Sequence, residues 1–150
     1  MPAAAAAYYD AYKKVNVETA SQGKLIVMLF NGAIQRAEEA KRQIQRNNLA
    51  EVHNNLVRAQ EIVGELRGAL NMKAGEVSEN LDRVYEYFIN LLIHANIKKD
   101  PAPIDEFLEL ATVMRDTWQE LFDNLSKESK PGAPAPSVNQ HGASLMNLQG

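Results

Sequence analysis

The chain has 150 residues, 45% of them apolar and 23% charged, with a net charge of −3. That length accommodates one domain with a real core, and so small a net charge excludes strong electrostatic recruitment to nucleic acid or anionic membrane. The absence of cysteine excludes disulfides, thiol catalysis and Cys-ligated metal, and fits a reducing compartment.

The opening stretch "MPAAAAAYYDAY" has no basic n-region, and its alanine run stops at Tyr8, Tyr9 and Asp10, so no secretory signal is expected. Residues 1–18 are expected to form an N-terminal segment with one short helix around Tyr8 to Lys14. The first long helical pattern begins near Thr19, where Thr19 and Gln22 fit a capping box, and runs to about Asn47. Its stripe reads Leu25, Leu29, Ala33, Ala37, Ala40 and Ile44. Within it lies the longest unbroken apolar run of the chain, "LIVMLF", residues 25–30, far short of the roughly 20 residues a membrane span needs. On these features a soluble, intracellular protein is expected.

The second pattern is the most regular. Leu49, Val52, Leu56, Ala59, Val63, Leu66 and Leu70 alternate steps of three and four, the spacing of a bundle seam. Asn48 with Glu51 can cap its start, and the glycine of "MKAGE", residues 72–76, is expected to end it. The third pattern uses Val77, Leu81, Val84, Tyr85, Phe88, Leu92 and Ala95 and ends near Ile97. The prolines of "KKDPAP" separate it from the fourth, which uses Ile104, Leu108, Ala111, Met114, Trp118, Leu121, Phe122 and Leu125 and fades at Lys127. Short connections make neighbours antiparallel, so the prediction is an all-α, up-down four-helix bundle over residues 19–127. Residues 128–150 are rich in Pro, Gly, Ser and Asn and are expected to form a flexible tail.

No catalytic constellation emerges, and the protein is not expected to be an enzyme. Di-iron bundles place Glu-x-x-His on facing helices, whereas Glu51 and His53 are two apart and diverge on a helix. His94 follows Asn90 and Leu91 by one turn, with no ligand partner. Neither histidine has the basic residue and glycine that would suit phosphotransfer. There is no Gly-rich phosphate loop, no G-x-S-x-G and no H-E-x-x-H. No cofactor and no metal are expected.

What remains is a surplus of apolar surface. At about 100° per residue, positions 25–30 point in every direction, and Ile26, Val27, Met28 and Phe30 cannot all share the face that lines the core. "YEYFINLLI", residues 85–93, repeats the problem with Tyr87, Ile89, Leu91 and Ile93. Two readings are open and compatible. Both helices are central or lie beneath residues 1–18, or their extra faces are a binding surface.

The residues that raise this question also resemble the signature of the flagellar secretion chaperone FliS family, a Tyr, a hydrophobic residue, then T-A-S-P-x-x-L-I-x-M-L-Y-D-G-A. Here it reads Tyr12, Val15 or Val17, Thr19-Ala20-Ser21, Leu25-Ile26, Met28-Leu29-Phe30 and Gly32-Ala33. The likeness continues in order through "RAQEIVGEL", residues 79–96 and "MRDTWQEL", spanning about residues 12–125. Gln22 stands where the family usually has Pro, Phe30 where Tyr is common, Asn31 where an acid is common, and Asn90-Leu91 where a basic pair is frequent.

The resemblance implies a cytoplasmic export chaperone: an antiparallel helical bundle that binds the disordered C-terminal segment of flagellin, prevents its premature polymerisation and aids its secretion, with export-apparatus components as further partners. On that basis Ile26, Val27, Phe30, Tyr87, Ile89 and Ile93 are the expected flagellin-binding residues. Tyr8, Tyr12 and Val15 belong to the N-terminal segment expected to cover the groove in the free protein. The competing expectation, from a different class, is a self-associating helical scaffold.

Overall fold

The computed structural model describes the backbone of residues 3–128 and the side chains of residues 22–127. Four helices follow in order: α1 (Ala3–Gln45), α2 (Leu49–Gly68), α3 (Glu76–Lys98) and α4 (Pro101–Glu128), with one 3-10 turn, Met72–Ala74, between α2 and α3. The described residues contain no strand. Packing runs round a ring, α1 against α2 and α4, and α3 against α2 and α4. This is the predicted four-helix bundle.

α1 starts sixteen residues before the predicted boundary, and Thr19 lies inside it. The capping box at Thr19 and Gln22 therefore does not form. A threonine caps only where the chain upstream leaves the helix, and from Ala3 to Gln22 there is neither Pro nor Gly, while Ala and Lys favour helix. The short helix expected around Tyr8 is the first part of α1. The side chains of Tyr8, Tyr12 and Val15 lie outside the described ones, as does the tail from residue 129 onward.

The other ends follow local chemistry. Asn48 caps α2, its side-chain oxygen accepting from the Glu51 amide at 3.3 Å, as the sequence predicts. α2 stops at Gly68, earlier than expected. Gly75 instead precedes α3, with φ 90° and ψ −143°, a conformation nearly exclusive to glycine. The buried Ser78 hydroxyl donates to the Asn71 carbonyl at 2.6 Å and ties this connection to α3. Lys99 closes α3 in the left-handed region, and α4 begins at Pro101, where a missing N–H costs nothing.

The core explains why α1 has so few polar positions near its middle. Ile26, Phe30, Ala33, Ala37, Ala40 and Ile44 form the true seam, in steps of four and three, with Val27 and Ile34 beside it. The predicted stripe began one residue too early, at Leu25, which is 52% exposed. Three successive steps of four rotate a stripe by about 40° each, enough to carry its start out of the core. In α4 the sequence reading omitted Phe107, which is 1% exposed and central.

Aromatic rings cross the bundle from α1 to α4. Phe30 meets Tyr85 at 6.2 Å between centroids, Tyr85 meets Phe88 at 6.4 Å, and Phe88 meets Phe107 edge to face at 5.3 Å. Alanines fill the spaces between: Ala33, Ala37 and Ala40 on α1, Ala59 on α2, Ala95 on α3 and Ala111 on α4, all buried. At the far end Phe122 stacks on Trp118 at 5.6 Å. Gly23 of α1 permits that stack, because a Cβ there would fall 2.8 Å from the Phe122 ring.

Polar ties lie outside this core. Arg67 of α2 clasps Asp82 of α3 at 2.6 and 3.2 Å, and its hydrogen bond holds the Asp82 carboxyl below the usual carboxylate range. Lys41 of α1 pairs with Asp105 of α4 at 2.6 Å. Solvent screens such exposed pairs, so they align helices that apolar burial holds together.

Replacing Phe88 by Ala should lower the unfolding free energy by about 3–5 kcal/mol, the cost of a lost aromatic and its cavity; urea denaturation at an unchanged m-value measures it. A second expectation concerns alkali. Burial pushes the Tyr85 phenol up to about 12 from an ordinary 10.0, the Trp118 indole offsetting part of the shift. The folded protein then keeps a proton that the unfolded chain loses, so this contribution is complete below pH 10 and disappears as pH rises towards 12. Stability of the Tyr85→Phe variant should fall less steeply than that of the parent between those two values.

Candidate interaction groove

Six apolar residues of α1 and α3 are expected at the binding surface, and the structure does not bring them to one face. Ile26, Val27 and Phe30 lie in the core at 6%, 8% and 1% exposure. The apolar surplus of α1 points outward through Leu25 and Met28 instead. Ile26, Val27 and Phe30 share one inward arc, because neighbours at i, i+1 and i+4 span only about 100°. The contacts of α1 with α2 and α4, together with the Tyr85 ring of α3, fill that arc.

On α3 the remaining three divide between two flanks. Tyr87 stands beside α4, its hydroxyl donating to the Glu106 carboxylate, which holds the phenol above its ordinary value. Ile89 follows Asp82 by seven residues and precedes Asn96 by seven, so it shares their flank. That flank faces α2, where Asp82 meets Arg67 and Asn96 meets the His53 ring at 2.9 Å. Ile89 is half-buried against the core, and Ile93 is exposed on the same side.

The Tyr87 flank borders a concavity. Between α3 and α4 runs an apolar groove of about 500 Å³, walled by Val84, Tyr87 and Phe88 on one side and Leu110, Val113 and Met114 on the other. Arg83 and Glu109 border it. Its floor is buried Phe88, while Tyr87, Leu110 and Val113 remain exposed at 47%, 40% and 61%. Leu110 and Val113 escaped the sequence reading, although they sit off the stripe defined by Ile104, Ala111 and Trp118, as Tyr87 does on α3. The reasoning that flagged Tyr87 would have found them.

The chemistry of this groove is burial. It offers a partner aliphatic and aromatic contacts, with one cation and one anion at its margins and no strong net charge. His94 is exposed on α3, and His53 is engaged by Asn96. Among the described residues no three potential metal ligands cluster, and no helix is long and apolar enough to cross a membrane.

The departures from the family signature have local explanations. Phe30 is buried between helices and touches the Tyr85 ring, so an aromatic without a hydroxyl suits its place. Asn31 accepts a hydrogen bond from Arg115 of α4 at 3.1 Å, keeping an acceptor where the family commonly has an acid. Leu91 is half-buried against the core, and Asn90 faces outward.

The family model described as "Flagellar protein FliS" matches residues 4–125. The flagellar secretion chaperone FliS of Vibrio cholerae serotype O1 is 34% identical over 117 residues, 75% of this chain and 86% of that protein. Its counterpart in Bacillus subtilis is 32% identical over 120 residues, 80% of this chain and 90% of that protein. The one in Salmonella typhimurium is 31% identical over 122 residues, 77% and 90% respectively. With the family model matching residues 4–125 and relatives more than 30% identical across most of both chains, the chain belongs to the FliS family of flagellar proteins.

Proposed function

We propose that this chain is a cytoplasmic flagellar secretion chaperone that binds the disordered C-terminal segment of flagellin, prevents its premature polymerisation and aids its export. The observation that carries the reading is the family match over residues 4–125, the whole of the bundle. The open groove between α3 and α4 supports it with a surface of the right kind. A disordered partner loses conformational entropy when it orders, so its affinity depends on a few apolar anchors set into pockets. Val84, Leu110, Val113 and the Tyr87 ring offer one such pocket. Leu25 and Met28 on α1, and Ile89 and Ile93 on α3, offer further contacts to a segment that wraps along the bundle. Ile26, Val27 and Phe30 act beneath, as the core that fixes the surface above them.

Residues 1–18 enter the same scheme as a competitor. For Tyr8, Tyr12 and Val15 to cover apolar surface of the bundle, α1 must break near Thr19 and its N-terminal part must fold back. The composition of this part favours helix, and local propensity is weak enough to be overridden by burial.

A flagellin C-terminal peptide titrated onto the chain should give a one-to-one complex by analytical ultracentrifugation. A concentration-dependent oligomer that ignores the peptide would instead support the self-associating scaffold. Val113→Asp and Tyr87→Ala lie at exposed positions and should stay folded. Loss of a central anchor costs about 2 kcal/mol, so calorimetry should register roughly 30-fold weaker binding of the peptide to Val113→Asp. Unchanged affinity in both variants would place the anchor elsewhere. Deleting residues 1–18 should accelerate peptide association by removing the competitor; slower association in stopped flow would assign those residues to the complex instead.

A further inference from the structure

We infer that the groove between α3 and α4 is also the docking site of this chain's own segment 143–150, "ASLMNLQG", which occupies it in the absence of another ligand. Three observations carry this. The first is composition. Residues 131–150 contain no Asp, Glu, Lys or Arg, yet Leu145, Met146 and Leu148 follow one another closely near residue 150. An uncharged apolar triplet suits a groove whose walls are Val84, Leu110, Val113 and Met114, and it leaves no charge to be desolvated there.

The second is reach. α4 ends at Glu128, and Val113 lies fifteen residues earlier on the same helix, about 22 Å back along its axis. Between Glu128 and Leu145 the chain is mostly Pro, Gly, Ala, Ser and Asn. Seventeen residues obeying random-coil statistics have a typical end-to-end distance of about 23 Å. The tether and the span match, the condition under which a linked ligand attains its highest effective concentration, on the order of 1 mM. A contact with a dissociation constant of about 1 mM is then populated about half the time.

The third is accessibility. Tyr87, Leu110 and Val113 stay exposed after all the described residues have packed, so the groove is open to an occupant from outside the bundle.

The contact itself does not depend on the proposed function; its consequence for flagellin does. If flagellin uses this groove, the segment must leave first, and half-occupancy halves the apparent affinity. The segment would then keep an apolar groove from meeting unintended partners while yielding to a stronger one.

The natural absence of cysteine makes the test direct. Ser144→Cys in the full chain carries a single spin label, and amide spectra are recorded with the label oxidised and reduced. The inference expects selective broadening at Val84, Tyr87, Leu110 and Val113, lost when Val113→Asp is added. It also expects those amides to shift when residues 141–150 are removed. Broadening confined to the last turn of α4, or unchanged shifts after truncation, overturns it. Isotope-labelled chain without the spin label, mixed with spin-labelled chain lacking isotope, must show no broadening; broadening in that mixture makes the occupant a second copy and also overturns it. Separately, truncation should tighten flagellin-peptide binding about twofold if both ligands share the groove.

Discussion

The ring contacts from Phe30 through Tyr85 and Phe88 to Phe107 set the geometry of the bundle. They run from α1 across α3 to α4, so three helices are held at the spacing of interleaved aromatics. Large side chains on this line require small ones elsewhere in the same layers, and the alanines of all four helices meet that requirement. α1 can therefore bury Ile26, Val27 and Phe30 together near its middle while presenting mostly alanines, with Ile34 and Ile44, further on. The dense run at residues 25–30 serves a helix packed between α2 and α4 that also meets the Tyr85 ring of α3, and of that run Leu25 and Met28 are the exposed members.

The same constraint produces the groove. Phe88 and Phe107 meet edge to face in the interior, which commits those two side chains inward. One turn further along α4, Ala111 faces inward and has no bulk to draw the helices together. Val84, Leu110, Val113 and Met114 are left along the outer seam, where α3 and α4 do not close over them. The Tyr87–Glu106 hydrogen bond crosses the seam beside this opening and ties its walls together. A groove built in this way is a consequence of core packing, and its shape depends on buried residues that touch no partner.

Fold and site were legible to different depths, for identifiable reasons. α2 read correctly from Val52 to Leu66 because its steps alternate strictly between three and four, leaving one register possible. α1 read one residue off at its start because LIVMLF contains a valid apolar choice at every position, so periodicity carries no information there. The register was instead set by partners, Phe30 by Tyr85 and Gly23 by Phe122. Gly75 could be read as a stop or a start, and only its φ of 90° before α3 decides. Of the expected contact residues, Tyr87 and Ile93 are exposed, whereas Leu110 and Val113 were missed because the fourth helix carries no consecutive apolar run to draw attention. Surface apolarity at i and i+3 outside a seam is a quieter signal than a run, and here it marks the better-formed concavity.

Under the proposed function, the character of the groove bears on what a secretion partner requires. A cargo to be released into an export apparatus must be held without being held permanently. Strong charge complementarity would speed association but would also tie affinity to a few desolvated ion pairs, which dissociate reluctantly. This groove has Arg83 and Glu109 at its margins and aliphatic side chains along its walls, so most of its binding energy must come from burial. Burial is divisible: each anchor of an extended segment contributes separately, and a segment can peel away one anchor at a time. A partner that orders only while bound adds an entropic drive towards release. A rigid aromatic core beneath a shallow apolar seam therefore combines two properties that a single tight pocket would set against each other, a fixed binding geometry and a complex that can be dismantled in steps.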